Sequence, residues 1–263
     1  MPSSRYYRLK TLTSEERIRR RKRILFWFFF TAAFLFIIWS FLMSPFFEIT
    51  EIKLPENDII TNDDIHKFII GSAPLNLGKN LFILSKNRIK SDLAAAFPVI
   101  TDINIKKELF HGLIINFEKR IQIGIWCNDS DCYYLDKKGI IFKKAPLTEG
   151  ALILKIKDFE KKEVSLGDQV LNNDRLKFIT EFNNKIIENN QFKITEFKIR
   201  PSANFDLEAI TDRNWSIYLD QNQDPLLEAN NLFTILNETI KNKTSNLEYI
   251  DLRIPSRVFY KMR

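Results

Sequence analysis

The sequence predicts an α+β protein hung from one N-terminal membrane-spanning helix. Three observations predict it. Residues 24–43 run for twenty positions without a charged side chain. Beyond them, apolar-rich and partly alternating stretches recur from Phe47 to Tyr260, the signal of strands. Between those stretches lie segments whose apolar residues return every three or four positions, the mark of helices packed on a sheet.

The apolar run comes first in the chain. A helix of that length rises roughly 30 Å, the thickness of a bilayer's hydrocarbon core. Arg17 and the cluster Arg19, Arg20, Arg21, Lys22 and Arg23 precede it, and Ser44-Pro45 breaks the pattern after it. Residues 1–23 carry a net +7, equal to the net charge of the whole chain. The remainder is therefore electrically balanced, and the high pI reports a positive-inside anchor rather than nucleic-acid binding. This places residues 1–23 in the cytoplasm as a basic tail and residues 24–43 in the membrane, with the rest on the far side. A cleaved signal peptide fits less well. Its apolar core is usually only about 7–15 residues, and the bulky Phe41-Leu42-Met43 offers no small-residue cleavage site.

Outside the membrane, Phe47–Leu54 reads as a strand and Pro55-Glu56-Asn57-Asp58 as a turn. Thr61-Asn62-Asp63-Asp64 supplies caps for a short helix that runs to Ile70 and stops at Gly71. A loop with Pro74 and Gly78 follows. Ile83–Phe97 is a second helix, with Ile89, Leu93 and Phe97 on one side and Pro98 at its end. Val99–Lys107 and Leu113–Lys119 are strands around a turn at His111-Gly112. The order is strand, helix, helix, strand, strand.

The C-terminal part mixes mostly antiparallel strands with two helices. Tyr133–Asp136 and Gly139–Phe142 form a hairpin around Lys137-Lys138-Gly139. Asn172-Asn173-Asp174 caps a helix whose apolar face is Leu176, Ile179, Phe182 and Ile186. Strands follow at Lys193–Ile199, Phe205–Ile210 and Trp215–Leu219. Asp224-Pro225 opens another helix, with Leu226, Ala229, Leu232, Phe233, Leu236 and Ile240 on one stripe. The chain ends on Tyr249–Ile254, the break Pro255-Ser256, and Arg257–Tyr260.

No catalytic motif stands out. The seven glycines make no phosphate-cradling loop, and neither a G-x-S-x-G elbow nor H-E-x-x-H occurs. No S-x-x-K pair is present. Thr50-x-x-Lys53 and Thr195-x-x-Lys198 sit in strand-like runs, where the two side chains point to opposite faces. Asp63-Asp64 is a helix cap, and Asp129 and Asp131 are turn residues. His66 and His111 lie on a polar helix face and in a turn. Cys127 and Cys132 flank a polar turn on the far side of the membrane, where a disulfide is chemically permitted. They stand either as a disulfide across a hairpin neck or as two free thiols. Two Cys and two distant His do not make a zinc site. The residues thus point to no metal, no cofactor and no enzyme, and to a membrane-tethered protein that binds other proteins. An anchored envelope enzyme with a site assembled from scattered residues is the competing class.

Several strings, in this order behind a basic single span, resemble the bacterial cell-division family FtsQ/DivIB. Phe47–Ile52 resembles its first strand, Asn80-Leu81-Phe82-Ile83-Leu84 its stretch before the second helix, and Phe97-Pro98-Val99-Ile100 its next strand. Ile115–Arg120 followed by Ile125-Trp126 resembles its crossing strand. Tyr134–Phe142 resembles its tyrosine–aspartate–glycine hairpin, and Ile250–Arg253 with Arg257-Val258 its closing strands. The resemblance implies a POTRA domain over 46–122 and an FtsQ-like β domain over 123–263. It also implies a non-enzymatic divisome scaffold, a single-pass type II protein at the division septum. Such a scaffold binds FtsB- and FtsL-type bitopic partners and helps regulate septal wall synthesis. The docking residues it implies are Arg253, Ile254, Ser256, Val258 and Tyr260. POTRA-like domains also serve secretion and transport machines, which is the alternative role.

Overall fold

A computed structural model gives the fold. It describes residues 14–43, 47–56, 59–71, 80–81, 83–108, 111–147, 153–160, 163–200 and 206–263. The tail before residue 14, the Ser44-Pro45 break, the Asn57-Asp58 turn, the loop with Pro74 and Gly78, Phe82 and Phe205 lie outside the described residues. The chain divides into two compact units, Met1–Lys90 with Asn104–Asn116, and Ser91–Ile103 with Phe117–Arg263.

Helix α1 (Ser14–Met43) begins the described chain and carries the basic run within its own first turns. Its stretch Ile18–Ser40 has a mean hydropathy of 1.9, long and apolar enough to cross a membrane, and no part of that window is buried by protein. Thr31 turns its hydroxyl back onto the carbonyls of Trp27 and Phe28, at 2.9 Å each.

Strand β1 (Glu51–Lys53) is shorter than the Phe47–Leu54 stretch. Glu48 instead bridges Asn80, and the amides of Thr50 and Glu51 both donate to the His111 carbonyl. Helix α2 (Asn62–Gly71) opens on a reciprocal cap. The Thr61 hydroxyl accepts from the Asp64 amide, and the Asp64 carboxylate accepts from the Thr61 amide at 3.1 Å. Helix α3 (Lys86–Ala96) buries Ile89 and Leu93 completely. Strands β2 (Ile100–Glu108) and β3 (Gly112–Lys119) follow, and the three strands form a sheet of order β1-β3-β2 with β1 parallel to β3.

The larger sheet is built from β4 (Gln122–Cys127), β5 (Cys132–Asp136), β6 (Ile141–Ala145), β7 (Leu154–Asp158), β8 (Ile194–Ile199), β9 (Asp206–Thr211), β10 (Ser216–Asp220), β11 (Leu247–Asp251) and β12 (Phe259–Met262). Its order is β12-β11-β10-β9-β8-β7-β4-β5-β6. Neighbours are antiparallel except at β10–β11, β7–β8 and β4–β7. Helix α4 (Asn173–Asn189) starts on Asn172, whose side chain accepts from the Arg175 amide at 2.8 Å. It ends on Asn190 in the left-handed conformation. Helix α5 (Pro225–Ile235) starts on Asp224, which accepts from the amides of Leu226 and Leu227. It continues as a π-helical turn over Leu236–Ile240.

One core joins these parts. Trp126, Ile156, Phe197, Ala209, Ile217 and Ile250 point from successive strands into a cluster shared with Phe182 and Ile186 of α4 and Leu232 of α5. Burying a Leu, Ile or Phe side chain contributes about 1.5–3 kcal/mol, so this cluster dominates the stability of the unit. Cys127 and Cys132 face each other across β4 and β5 as a disulfide, Cα atoms 4.1 Å apart. They pack with Ile125, Ala145 and Tyr134 in a second, smaller cluster.

Candidate functional site at the edge of the large sheet

A sheet has two ends, and here they differ. Strand β6 ends one side. The Ile141 end of its outer side is covered by the segment that precedes α4: the Ile141 amide donates to the Asp168 carbonyl, the Gly167 amide donates to the Ile141 carbonyl, and Ile140 bridges Gln169. Gly139 makes the cover possible. It adopts φ +74°, and a Cβ there would meet the Leu171 carbonyl oxygen at 2.1 Å. Strand β12 ends the other side, and no described segment pairs with its outer edge. Such an edge presents free N–H and C=O groups to another chain.

The chain reaches β12 through a braced turn. Asp251 closes β11 and holds Arg253 by both ends: its carboxylate accepts from the Arg253 amide at 3.1 Å, from Nε at 2.9 Å and from Nη2 at 2.7 Å. The hydrogen bonds to Arg253 hold the Asp251 carboxyl below its usual range, although its partial burial, the largest single influence, acts the other way. The guanidinium also lies over the Tyr218 ring, 5.1 Å from its centre. Gln223 donates to the carbonyls of Leu252 and Arg253, which ties the start of α5 to the same turn. The turn closes from Ile254 to Arg257, with Ser256 at φ +63°.

Of the five residues that the sequence suggested for docking, only Tyr260 lies in β12. Arg253, Ile254 and Ser256 form the turn, and Val258 leads into the strand and packs on the core. Ile254 is 48% exposed and Tyr260 43%. Phe259, 47% exposed, is missing from those five, yet it belongs to the edge. It pairs with Asp251, whereas Tyr260 pairs with the buried Ile250, so the two aromatic rings lie on opposite faces of the edge. The alternation Val258, Tyr260, Met262 against Phe259, Lys261 carries the signal. Arg19, Arg20, Arg21, Lys22 and Arg23 are all exposed on α1.

One buried acid sits close by. Glu228 of α5 is 2% exposed; one carboxylate oxygen accepts weakly from the Asp220 amide at 3.4 Å, and the other has no partner. Burial pushes its carboxyl up to about 8. The Asp220 amide opposes that shift, and the charges of Asp220 and Asp251 add to it. It is protonated at neutral pH. Among the described residues, no group of three His, Cys, Asp or Glu is arranged to hold a metal ion.

No protein-family model matches the chain. Among curated proteins it is similar to the cell division protein DivIB of Clostridium tetani, with 23% identity over 211 residues. The match covers 79% of this chain and 77% of that protein. The chain is similar to DivIB over most of its length. The match is long enough to take in most of the chain rather than one motif, and it agrees with the FtsQ/DivIB strings read from the residues. The chain is an α+β protein with an apolar N-terminal helix and a large, mostly antiparallel sheet.

Proposed function

We propose that this chain is a membrane-anchored, non-enzymatic scaffold of bacterial cell division. It stands at the septum with its N-terminus in the cytoplasm. It holds FtsB- and FtsL-type bitopic partners through β12 and so helps control septal wall synthesis. The 46–122 stretch serves as a POTRA domain beside the membrane. The similarity to DivIB supports the division role, and the N-terminal apolar helix supports the anchor.

The observation that carries the docking reading is the asymmetry of the sheet ends. The β6 edge is covered at its Ile141 end by its own chain, and the exposed Lys143 and Lys144 lie further along it; no described segment pairs with the β12 edge, which is lined by Phe259 and Tyr260. Lysines on an edge discourage pairing, and exposed aromatics favour it. A partner that adds a strand gains backbone hydrogen bonds from β12 and apolar contact on both faces.

The test is binding of the full chain, held in lipid nanodiscs, to the outer segments of FtsB and FtsL from the same organism. Ile254→Glu and Tyr260→Pro are measured beside the wild type. Both positions are exposed, so the fold is expected to survive, as circular dichroism will verify. A loss of tenfold or more in both variants is the expected result. Undiminished binding moves the site away from β12, and failure of the wild type to bind removes the division reading.

A further inference from the structure

A second surface on the C-terminal unit is built differently from the β12 edge. A groove of about 700 Å³ runs beside α4, between that helix and the first residues of β4 and β7. Its floor is apolar: Ile123, Leu154 and the buried Leu176. Its walls keep two large apolar side chains in solvent, Ile153 at 39% and Ile187 at 60% exposure. The α4 side of the groove is one continuous stripe. Asn173, Lys177, Thr180, Asn184 and Ile187 recur every three or four residues, as one face of a helix does. From Asn173 to Ile187 that face is roughly 21 Å long, about four helical turns.

Charge and backbone geometry narrow the occupant. None of the twelve described lining residues is acidic, and two are lysines, Lys137 from the β5–β6 turn and Lys177 from α4. Outside the basic tail the chain's charges balance, so a groove whose described charged lining residues are two lysines favours acidic groups. Carboxamides of Gln122, Asn173 and Asn184 add hydrogen-bonding groups along the rim. The strands at its base, β4 and β7, are interior to the sheet and paired on both sides. They offer no free edge, so an incoming strand would leave its own N–H and C=O groups unpaired here. A helix satisfies its backbone internally and needs only side-chain recognition.

We infer that this groove docks an amphipathic helix of a partner protein, apolar along one stripe and flanked by Asp or Glu. The apolar stripe covers Ile123, Leu154, Ile153 and Ile187. The flanking carboxylates meet Lys137 on one side and Lys177 on the other. Lys177 is available because its own partner, Glu181, is 3.8 Å away and both side chains are exposed. The site is independent of strand addition at β12, and neither needs the other.

The test uses the full chain in phosphatidylcholine nanodiscs and a display library of 18-residue segments. Segments that bind empty nanodiscs are removed first, and the retained ones are counter-selected on Ile187→Glu and Ile187→Ala. Both substitutions fall at a solvent-exposed position, and thermal unfolding checks that they leave the fold intact. The expected result is a class of segments at least tenfold depleted on both variants, net negative, with apolar residues at i, i+3, i+4 and i+7. In the double variant Lys137→Glu, Lys177→Glu the charge preference is expected to reverse. The inference is overturned if no segment depends on Ile187, or if the dependent segments are basic or strand-forming. Self-association of the wild type that Ile187→Glu abolishes, seen by sedimentation, also overturns it, since a second copy is then the occupant.

Discussion

Arg120 and Asp136 form a nearly buried ion pair, with side chains only 10% and 4% exposed. Each is engaged on its other side as well. Arg120 donates to the carbonyls of Pro98 at 3.0 Å and Ile100 at 3.2 Å, so it clamps the start of β2. Asp136 accepts from the amides of Lys138 and Ile140, both at 2.9 Å, so it shapes the turn between β5 and β6. Removing one partner leaves a charge buried without its counter-ion. We expect Asp136→Ala to lower stability by about 3–5 kcal/mol, and Arg120→Ala by a similar amount. Because the two act as a unit, the double variant is expected to lose much less than the sum. Urea unfolding of the three variants measures this; additive losses would show that the pair is not coupled.

Glu228 makes stability depend on pH in a direction opposite to most carboxylates. Its folded pKa of about 8 lies above the ordinary 4.5, so the folded state keeps a proton that the unfolded state has released. The stabilisation is complete below pH 4.5 and is lost as pH rises toward 8. The shift corresponds to roughly 5 kcal/mol across that window. Glu228→Gln removes the titration and is expected to flatten melting temperature between pH 5 and 9. A wild-type profile already flat over that range would refute the assignment.

Gly139 is expected to resist any substitution. Gly139→Ala forces a left-handed backbone on a residue with a Cβ, and that Cβ collides with the Leu171 carbonyl. Strain of this kind costs about 1–3 kcal/mol before any rearrangement. The amides of Val170 and Leu171, both bonded to the Gly139 carbonyl, belong to the cover on β6. Lower melting temperature with faster self-association through the uncovered edge is the expected outcome. Light scattering distinguishes this from simple destabilisation.

The Cys127–Cys132 disulfide closes a short loop, so its contribution is modest, roughly 2 kcal/mol in the chain-entropy account. The turn it spans is also held by Asn128, whose side chain accepts from the amides of Ser130 at 3.0 Å and Asp131 at 2.8 Å. Reduction is therefore expected to lower the melting temperature by a few degrees while leaving the strand content unchanged. Loss of β structure on reduction would contradict this.

The helices of the C-terminal unit were the most legible parts of the sequence. Asn172 caps α4 as its side-chain chemistry suggests, and Leu176, Ile179, Phe182 and Ile186 are all buried. These are local properties, set by side chains within a turn or two of each other. Helix α5 shows where that reasoning stops. Asp224-Pro225 does open it, but Leu226 is 46% exposed while Glu228 is buried. Periodicity finds the stripe; it does not know how far the sheet extends beneath it. The expected strands omit β7, although Leu154 and Ile156 alternate with Lys155 and Lys157.

By itself, the sequence determined the long apolar N-terminal helix, the caps and the apolar faces, because length, charge and spacing are carried within each segment. The order of strands belongs to the tertiary structure alone. Pairing β7 between β4 and β8 in parallel depends on residues far apart in the chain. Which edge no described segment pairs with depends in turn on that order, and on Gly139 admitting the segment that covers the Ile141 end of β6. The sequence reads the residues of β12 as part of a closing strand, to which the family resemblance adds docking residues. That no described segment pairs with its outer edge follows from the order in which the other strands of that sheet pair.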